Sequence, residues 1–232
     1  MNYQQIVQGT FIERPNRFIA HCKVNDEVVI AHVKNTGRCK ELLVHGATVF
    51  LEYAPSSTRK TDYSLISVKK GNYLINMDSQ APNGVAFEGI QEGIITLPGL
   101  NEKFKLLKRE VKYGQSRFDL YIETEFGRKA FIEVKGVTLE DQGVVKFPDA
   151  PTKRGTKHIY ELIAARQAGY ETYILFIIQM SPVAYFTPNK ERDPELAQAL
   201  KIAREAGVNI LAYDCHVTTE SLQVYQQVKV QL

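Results

Sequence analysis

The sequence predicts two domains of different class, a small all-β barrel over residues 1–80 and an α/β domain over residues 81–232. Three observations lead to this division. Short segments rich in β-branched and aromatic residues follow one another up to residue 80. Beyond that point, segments with helical periodicity alternate with apolar runs. The length of 232 residues allows one large domain or two small ones.

The first domain is predicted to contain six strands separated by residues that favour turns. The strands cover residues 7–13, 17–24, 27–33, 47–53, 63–69 and 73–76. Turn signals such as Asn35-Thr36-Gly37 and Pro55-Ser56-Ser57 lie between them, and only residues 37–43 suggest a helical turn. Five or six short strands in so short a segment are typical of a closed barrel. We expect an OB-like barrel, with an SH3-like barrel as the alternative.

The second domain is predicted to alternate strands with helices. A short helix over 87–95 precedes a pair of strands over 116–125 and 130–138. A helix over 156–167 follows, since its apolar residues recur at helical spacing, and the apolar run 172–179 is typical of a strand buried on both faces. Asp193-Pro194 is an N-cap and first-turn pair for a helix that ends at Ala206, before a last strand over 208–213. This order predicts a mixed sheet whose later strands are parallel.

The composition excludes several classes of protein. Hydrophobic residues make up 44% of the chain and charged residues 24%, so a disordered or fibrous protein is excluded. The longest apolar run, residues 173–178, is far too short to span a bilayer. The N-terminal residues lack the pattern of a signal peptide, and three widely spaced cysteines fit reduced thiols. We therefore expect a cytoplasmic protein.

The positive charge is unevenly distributed along the chain. The formal net charge is +3, and residues 1–80 contain ten Lys or Arg against seven Asp or Glu. In the second domain, one acid, Glu110, stands within a stretch of six cations: Lys103, Lys105, Lys108, Arg109, Lys112 and Arg117. A local basic surface attracts polyanions such as nucleic acids. A solvated face without a ligand remains the alternative.

The most informative residues lie on the two strands predicted between 116 and 138. Side chains alternate between the faces of a strand, so Glu133 and Lys135 point the same way, and Asp119 points away from the apolar face formed by Phe118 and its alternate neighbours. If the turn centres on Phe126, Asp119 lies opposite Glu133. A shift of one residue would separate them.

Two carboxylates and an ammonium group on one sheet face are costly to bury without a purpose. A Mg²⁺ or Mn²⁺ ion is one such purpose, since it takes carboxylate and carbonyl oxygens and retains several waters. Asp119, Glu133 and the backbone carbonyl of Val134 are the predicted ligands. Lys135 would orient a bound water or offset charge that develops on a phosphate. A cross-strand salt bridge is the alternative.

Seven further cations are candidate contacts for nucleic acid. Arg154 and Lys157 open the predicted helix that follows the hairpin, where cations oppose the helix dipole and a phosphate would be held by free backbone N–H groups. Phe18 and Tyr53 are the aromatic residues of the barrel that could stack on bases, although a core position is the usual alternative. The remaining five cations, on predicted barrel loops or in the basic stretch, are Arg14, Arg17, Arg38, Lys112 and Arg117.

Asp119 followed by Glu133-Val134-Lys135, on a hairpin before a helix and a buried strand, resembles the PD-(D/E)xK nuclease superfamily. Further segments resemble the sugar fermentation stimulation protein (SfsA) family across nearly the whole chain. They are Arg17-Phe18, Asn35-Thr36-Gly37-Arg38, Glu110 to Gly114, Ser116 to Asp119, Ile132 to Leu139, Phe147 to Thr152, and Arg154-Gly155 with Lys157-His158. Lys34 and Cys39 depart from the residues expected there, and neither touches the carboxylates.

The resemblance implies an N-terminal OB fold and a C-terminal PD-(D/E)xK nuclease-like domain with a mixed sheet. It implies DNA as the partner, Asp119 and Glu133 as metal ligands, Lys135 as the catalytic lysine and Glu110 as an additional acidic residue. A Mg²⁺- or Mn²⁺-dependent nuclease is therefore the expected function. The alternative is a non-catalytic DNA-binding regulator of sugar (maltose) metabolism that retains a nuclease fold, and an adaptor that binds no nucleic acid is a third reading.

Overall fold

In a computed structural model, which describes residues 1–35, 37–55, 60–114 and 116–232, the first six strands form one sheet in the order β3-β2-β1-β4-β5-β6. A parallel pairing of β3 with β5 closes five of them into a barrel. The predicted turns at Asn35-Thr36-Gly37 and Pro55-Ser56-Ser57 fall partly outside the described residues. The strands are β1 (Ile6–Asn16), β2 (Ile19–Val24), β3 (Glu27–Val33), β4 (Thr48–Tyr53), β5 (Tyr63–Lys70) and β6 (Tyr73–Asn76).

The second domain is built on a six-stranded mixed sheet in the order β15-β14-β12-β9-β8-β7, beside a small sheet in the order β10-β11-β13. Strands β9, β12 and β14 are parallel, as predicted, and β7, β8 and β15 add antiparallel edges. The elements are α1 (Ala81–Gln91), β7 (Phe104–Tyr113), β8 (Ser116–Thr124), β9 (Lys129–Val137), β10 (Leu139–Asp141), β11 (Val144–Phe147), α2 (Lys153–Gln167), β12 (Glu171–Ile178), β13 (Tyr185–Pro188), α3 (Pro194–Glu205), β14 (Asn209–Val217) and β15 (Leu222–Gln227).

Helices cover both faces of the mixed sheet. One face packs on α1 through a core cluster that includes Val85, Ile132 and Leu175. The other face packs on α2 and α3 through a second cluster that includes Ile159 and Phe176. Strand β12 contributes to both clusters, which explains why its sequence is apolar throughout rather than alternating. Among the described residues, no helix combines the length and apolar character that a membrane crossing requires.

Two of the sequence predictions were wrong about this domain. The first helix begins at Ala81 rather than at residue 87, because Pro82 occupies one of its first two positions, where proline is favoured. Most of the basic stretch forms strand β7, to which the sequence analysis assigned no secondary structure. As an edge strand it is paired on one side only, so five charged residues in ten are compatible with it. The short strands β10, β11, β13 and β15 were also missed.

Polar contacts, some of them buried, dock the barrel onto the α/β domain. The side-chain amide of Gln179 donates to Asn76 Oδ1 at 2.9 Å and to the carbonyl of Asp78 at 3.0 Å. The backbone N–H of Arg38 donates to Asp149 Oδ2 at 3.2 Å. These contacts place a barrel loop beside the segment that precedes α2, so that both domains border one surface.

Candidate metal centre

Strands β8 and β9 pair in the register centred on Phe126, which confirms that prediction. The described pairs run from Glu123 opposite Lys129 to Leu120 opposite Ile132. Asp119 and Glu133 are therefore the next positions beyond the last described pair. These two candidate side chains lie where the two strands begin to separate.

Asp119 is held at this fork by one contact to each of its oxygens. The backbone N–H of Val134 donates to Oδ2 at 2.8 Å, and the side-chain amide of Asn83, from α1, donates to Oδ1 at 2.7 Å. The alternation predicted for β8 fails here. Phe118 packs on Phe131, with ring centroids 5.1 Å apart, whereas Leu120 belongs to the cluster on the α1 face. The change occurs where β8 separates from β9, and Asp119 faces the backbone of β9 there.

Glu133 is almost completely buried, with 3% of its side chain exposed. Its Oε1 atom accepts a hydrogen bond from Lys135 Nζ at 2.5 Å and also contacts Nδ1 of His158 on α2. Its Oε2 atom is buried and has no hydrogen-bond partner among the described residues. A buried carboxylate oxygen without a partner is costly, unless a ligand binds it.

The surroundings shift the pKa values of the two carboxylates in opposite directions. Burial, followed by the negative charge of Glu133, raises the pKa of Asp119 above its ordinary value. Burial also acts to raise the pKa of Glu133, but His158 and Lys135 outweigh it and hold that pKa below its ordinary value. The site therefore contains an ionised glutamate beside an aspartate that gains a proton more readily than usual.

The donor set fits a hard divalent cation. The N–H and C=O of one residue in an antiparallel ladder point to the same neighbouring strand, so the carbonyl of Val134 is directed to the same side as the N–H that contacts Asp119. Asp119, Glu133 and this carbonyl are oxygen donors of the kind that Mg²⁺ and Mn²⁺ prefer. No group of three or more His, Cys, Asp and Glu side chains is placed to hold a metal ion within the described part of the chain. Water would have to complete the coordination, as it commonly does for Mg²⁺.

Binding of Mn²⁺ is expected to weaken as the pH is lowered from neutral into the acid range, because a metal ligand must be deprotonated and burial raises the pKa of Asp119. The affinity falls with pH because Asp119 is ionised, and so able to bind a cation, only above its raised pKa. Isothermal titration calorimetry of the full chain at several pH values measures this, with circular dichroism to verify folding at each pH. A dissociation constant that does not change over this range would contradict the expectation.

A cleft of about 340 Å³ opens beside Asp119 and is bordered by three other charged residues, Glu110, Arg117 and Arg154. Glu110 has a positive φ of 56° and pairs with Arg117 at 3.0 Å, and both side chains are largely exposed. Glu110 thus borders the same cleft as Asp119, and its role as an additional acidic residue stays a prediction. Arg154 lies in the first turn of α2.

The predicted nucleic-acid contacts fall into two groups. Lys112 lies opposite Arg117 on strands β7 and β8, and Lys157 on α2 pairs with Glu161 at 3.6 Å. These two residues are exposed, as are Arg117 and Arg154, which border the cleft beside Asp119.

The second group lies on the barrel. Arg17 and Arg38 border a cleft of about 570 Å³ together with Lys40 and with Ala150 of the α/β domain. Arg14 borders it too, but its guanidinium donates to four backbone carbonyls, those of Arg17, Asn35, Gly37 and Arg38, at 2.6–2.9 Å. Arg14 therefore holds these loops together, whereas Arg17 and Arg38, like Lys40, are exposed.

Two residues at the centre were not predicted to be part of it. Asn83 was not singled out in the sequence, and His158 was named only within a segment that resembles the SfsA family. Pro82 could have indicated the start of α1. No local signal indicates that Asn83 reaches Asp119, 36 residues away, or that His158 reaches Glu133, 25 residues away.

Comparisons with known proteins agree with this architecture. A family model for the sugar fermentation stimulation protein RE domain matches residues 80–221, and a model for the SfsA N-terminal OB domain matches residues 12–77. The predicted OB-like barrel is thereby confirmed over the SH3-like alternative. The structure of SfsA from Pyrococcus furiosus in complex with Ca²⁺ superposes with a TM-score of 0.87, at 31% identity, over 100% of this chain and 98% of that one.

Sequence relatives extend over the whole chain. A sugar fermentation stimulation protein homolog of Enterococcus mundtii is 52% identical over 229 residues, which are 98% of this chain and 95% of the relative. A homolog of Clostridium beijerinckii is 51% identical over 99% of both chains. The predicted resemblance is confirmed, and the chain belongs to the sugar fermentation stimulation protein (SfsA) family.

Proposed function

We propose that this protein is a Mg²⁺- or Mn²⁺-dependent nuclease that hydrolyses phosphodiester bonds, with DNA as its preferred substrate. The observation that carries the proposal is the convergence of Asp119, Glu133 and Lys135 at the fork between β8 and β9, with Oε2 of Glu133 buried and unpaired among the described residues. The Pyrococcus furiosus SfsA structure is a complex with Ca²⁺, and this supports a site for a hard divalent cation in the same fold.

The roles of the residues follow from their positions. Asp119, Oε2 of Glu133 and the carbonyl of Val134 would hold the cation. When bound, such a cation polarises the phosphate and lowers the pKa of a bound water. Lys135 carries its positive charge beside Glu133 and would stabilise charge that builds up on the phosphate oxygens. Arg154 and Arg117 border the cleft beside Asp119 and would hold the neighbouring phosphates.

The barrel would hold the nucleic acid on the same side of the molecule. Arg17 and Arg38 border a cleft that includes Ala150, three residues before the first residue of α2, and Arg154 lies one residue into that helix. The Phe18 ring is half exposed, and the Arg17 guanidinium lies 5.6 Å from its centroid. An exposed ring beside cations is the arrangement with which OB folds stack bases and track a phosphate backbone.

The decisive experiment incubates the purified full chain with labelled single-stranded, duplex and branched DNA, and with RNA, in Mn²⁺ or Mg²⁺ and in EDTA. Cleavage that requires the divalent cation is expected, with DNA cut in preference to RNA. Intact substrates under all conditions, together with salt-sensitive binding that is equal with and without EDTA, would instead indicate a regulator that binds DNA without cutting it.

Replacing both Arg17 and Arg38 by Gln is expected to weaken DNA binding and to lower the slope of log affinity against log salt by about 0.7–0.9 for each phosphate that is no longer neutralised. Both side chains are exposed and border the barrel cleft, so the fold should tolerate the change. Fluorescence anisotropy in Ca²⁺ over a range of salt concentrations measures this. Lys201→Gln with Arg204→Gln, on α3, is the matched control, and an equal loss of affinity in the control would contradict a specific role of the barrel cleft.

A further inference from the structure

His158 is a polar residue on the buried face of α2. The helix exposes Arg154 and Lys157, whereas His158 is 7% exposed, next to buried Ile159. Packing does not require a histidine at this position, since an apolar side chain would fill the space without a polar atom to satisfy. The reason for a histidine at this position therefore lies in the group that it contacts.

That group is the carboxylate of Glu133, and both of its described donors meet at one oxygen. His158 Nδ1 and Lys135 Nζ both contact Oε1, while Oε2 remains buried and unpaired among the described residues. Two donors that approach one oxygen from different elements, α2 and β9, fix the rotation of the carboxylate. The other oxygen is then presented to a cation without any existing hydrogen bond having to break.

The contact determines which atom of the imidazole is the donor. An ionised carboxylate is an acceptor only, so Nδ1 must carry the proton that it shares with Oε1. Ligand carboxylates are commonly oriented by such hydrogen bonds, and loss of an outer partner of this kind typically lowers metal affinity about 10- to 100-fold.

We propose that His158 is a positioning residue that orients Glu133 so that Oε2 alone faces the divalent cation. The inference rests on the proposed metal site, but not on whether the bound metal supports cleavage. Asp119 is positioned separately, by Asn83 from the opposite face of the sheet, so the loss of His158 should affect the glutamate ligand and not the aspartate.

The test measures the Mn²⁺ dissociation constant of the full chain by isothermal titration calorimetry, without nucleic acid. His158→Leu is expected to weaken binding about 10- to 100-fold. His158→Asn retains an N–H donor at the same number of bonds from the backbone as Nδ1, and it should restore most of the affinity. His158→Gln places its donor one bond further out and should resemble His158→Leu. His21→Leu removes a similar histidine–glutamate contact in the barrel, to Glu13 at 3.0 Å, and is the matched control.

Wild-type affinity in folded His158→Leu would overturn the proposal, and so would equal affinities of His158→Asn and His158→Gln. The second comparison holds even if His158→Leu does not fold, because both amides are polar and differ in donor position. Wild-type protein that binds Mn²⁺ without cutting nucleic acid would contradict the proposed nuclease and leave the role of His158 standing. Wild-type protein that binds no Mn²⁺ would overturn both.

Discussion

Replacing Glu133 by Gln is expected to abolish divalent-dependent cleavage, with a loss on the order of 10³-fold or more, because a bound cation is worth several kcal/mol to a phosphoryl transition state. The amide oxygen of Gln can still accept hydrogen bonds from Lys135 and His158 at the position of Oε1, so the local packing should persist. The neutral NH₂ group that replaces the other oxygen cannot bind a cation. Mn²⁺ binding by calorimetry and cleavage of labelled DNA should therefore be lost together.

Glu140→Gln is the matched control for this variant. Glu140 is also a buried glutamate that pairs with a lysine, Lys70, at 2.6 Å, but it lies on β10 outside the candidate metal centre. Its replacement should lower the melting temperature without changing Mn²⁺ affinity. Cleavage by Glu133→Gln at the wild-type rate would show that this carboxylate is not a metal ligand.

Replacing Lys135 by Met is expected to lower the cleavage rate about 10²- to 10³-fold, as does the removal of one preorganised group that stabilises transition-state charge in other enzymes. Mn²⁺ should still bind, since Oε1 of Glu133 keeps its contact with His158 and none of the three proposed cation ligands is removed. The two variants thus separate metal binding from chemistry. Single-turnover cleavage at saturating Mn²⁺ measures the difference.

Lys70→Met provides the corresponding control, because it removes the ammonium partner of Glu140 and leaves the metal centre untouched. It should cleave DNA at the wild-type rate. If Lys135→Met instead loses Mn²⁺ binding and recovers full cleavage when the metal concentration is raised, the lysine acts by holding Glu133 and not on the phosphate.

Much of the hairpin could be predicted from local patterns. The turn at Phe126 and the apolar alternation of β8 and β9 determine the register, and the register brings Asp119 next to Glu133. Strand β7 could not be predicted in this way, because an edge strand is paired on one side only and its charges can face solvent. The reversal between Phe118 and Leu120 was also hidden, since it arises where the strands separate.

The role of Arg14 could not be predicted from the sequence for a different reason. Its position among other cations indicated a phosphate contact, but its guanidinium donates to four backbone carbonyls of neighbouring loops. A sequence shows which residues are charged. Which groups a charged side chain contacts depends on how the loops fold against one another. Arg17 and Arg38, in the same loops, remain exposed.

The sequence by itself determined the two fold classes, the family, and the register that brings Asp119 next to Glu133, because these depend on periodicity, spacing and motif order along continuous segments. Only the tertiary structure decided that Asn83 and His158 hold the two carboxylates, and that Oε2 of Glu133 is left unpaired among the described residues. Those contacts join α1 and α2 to opposite sides of the fork. They depend on how helices distant in sequence pack against the sheet, and no local pattern encodes that geometry.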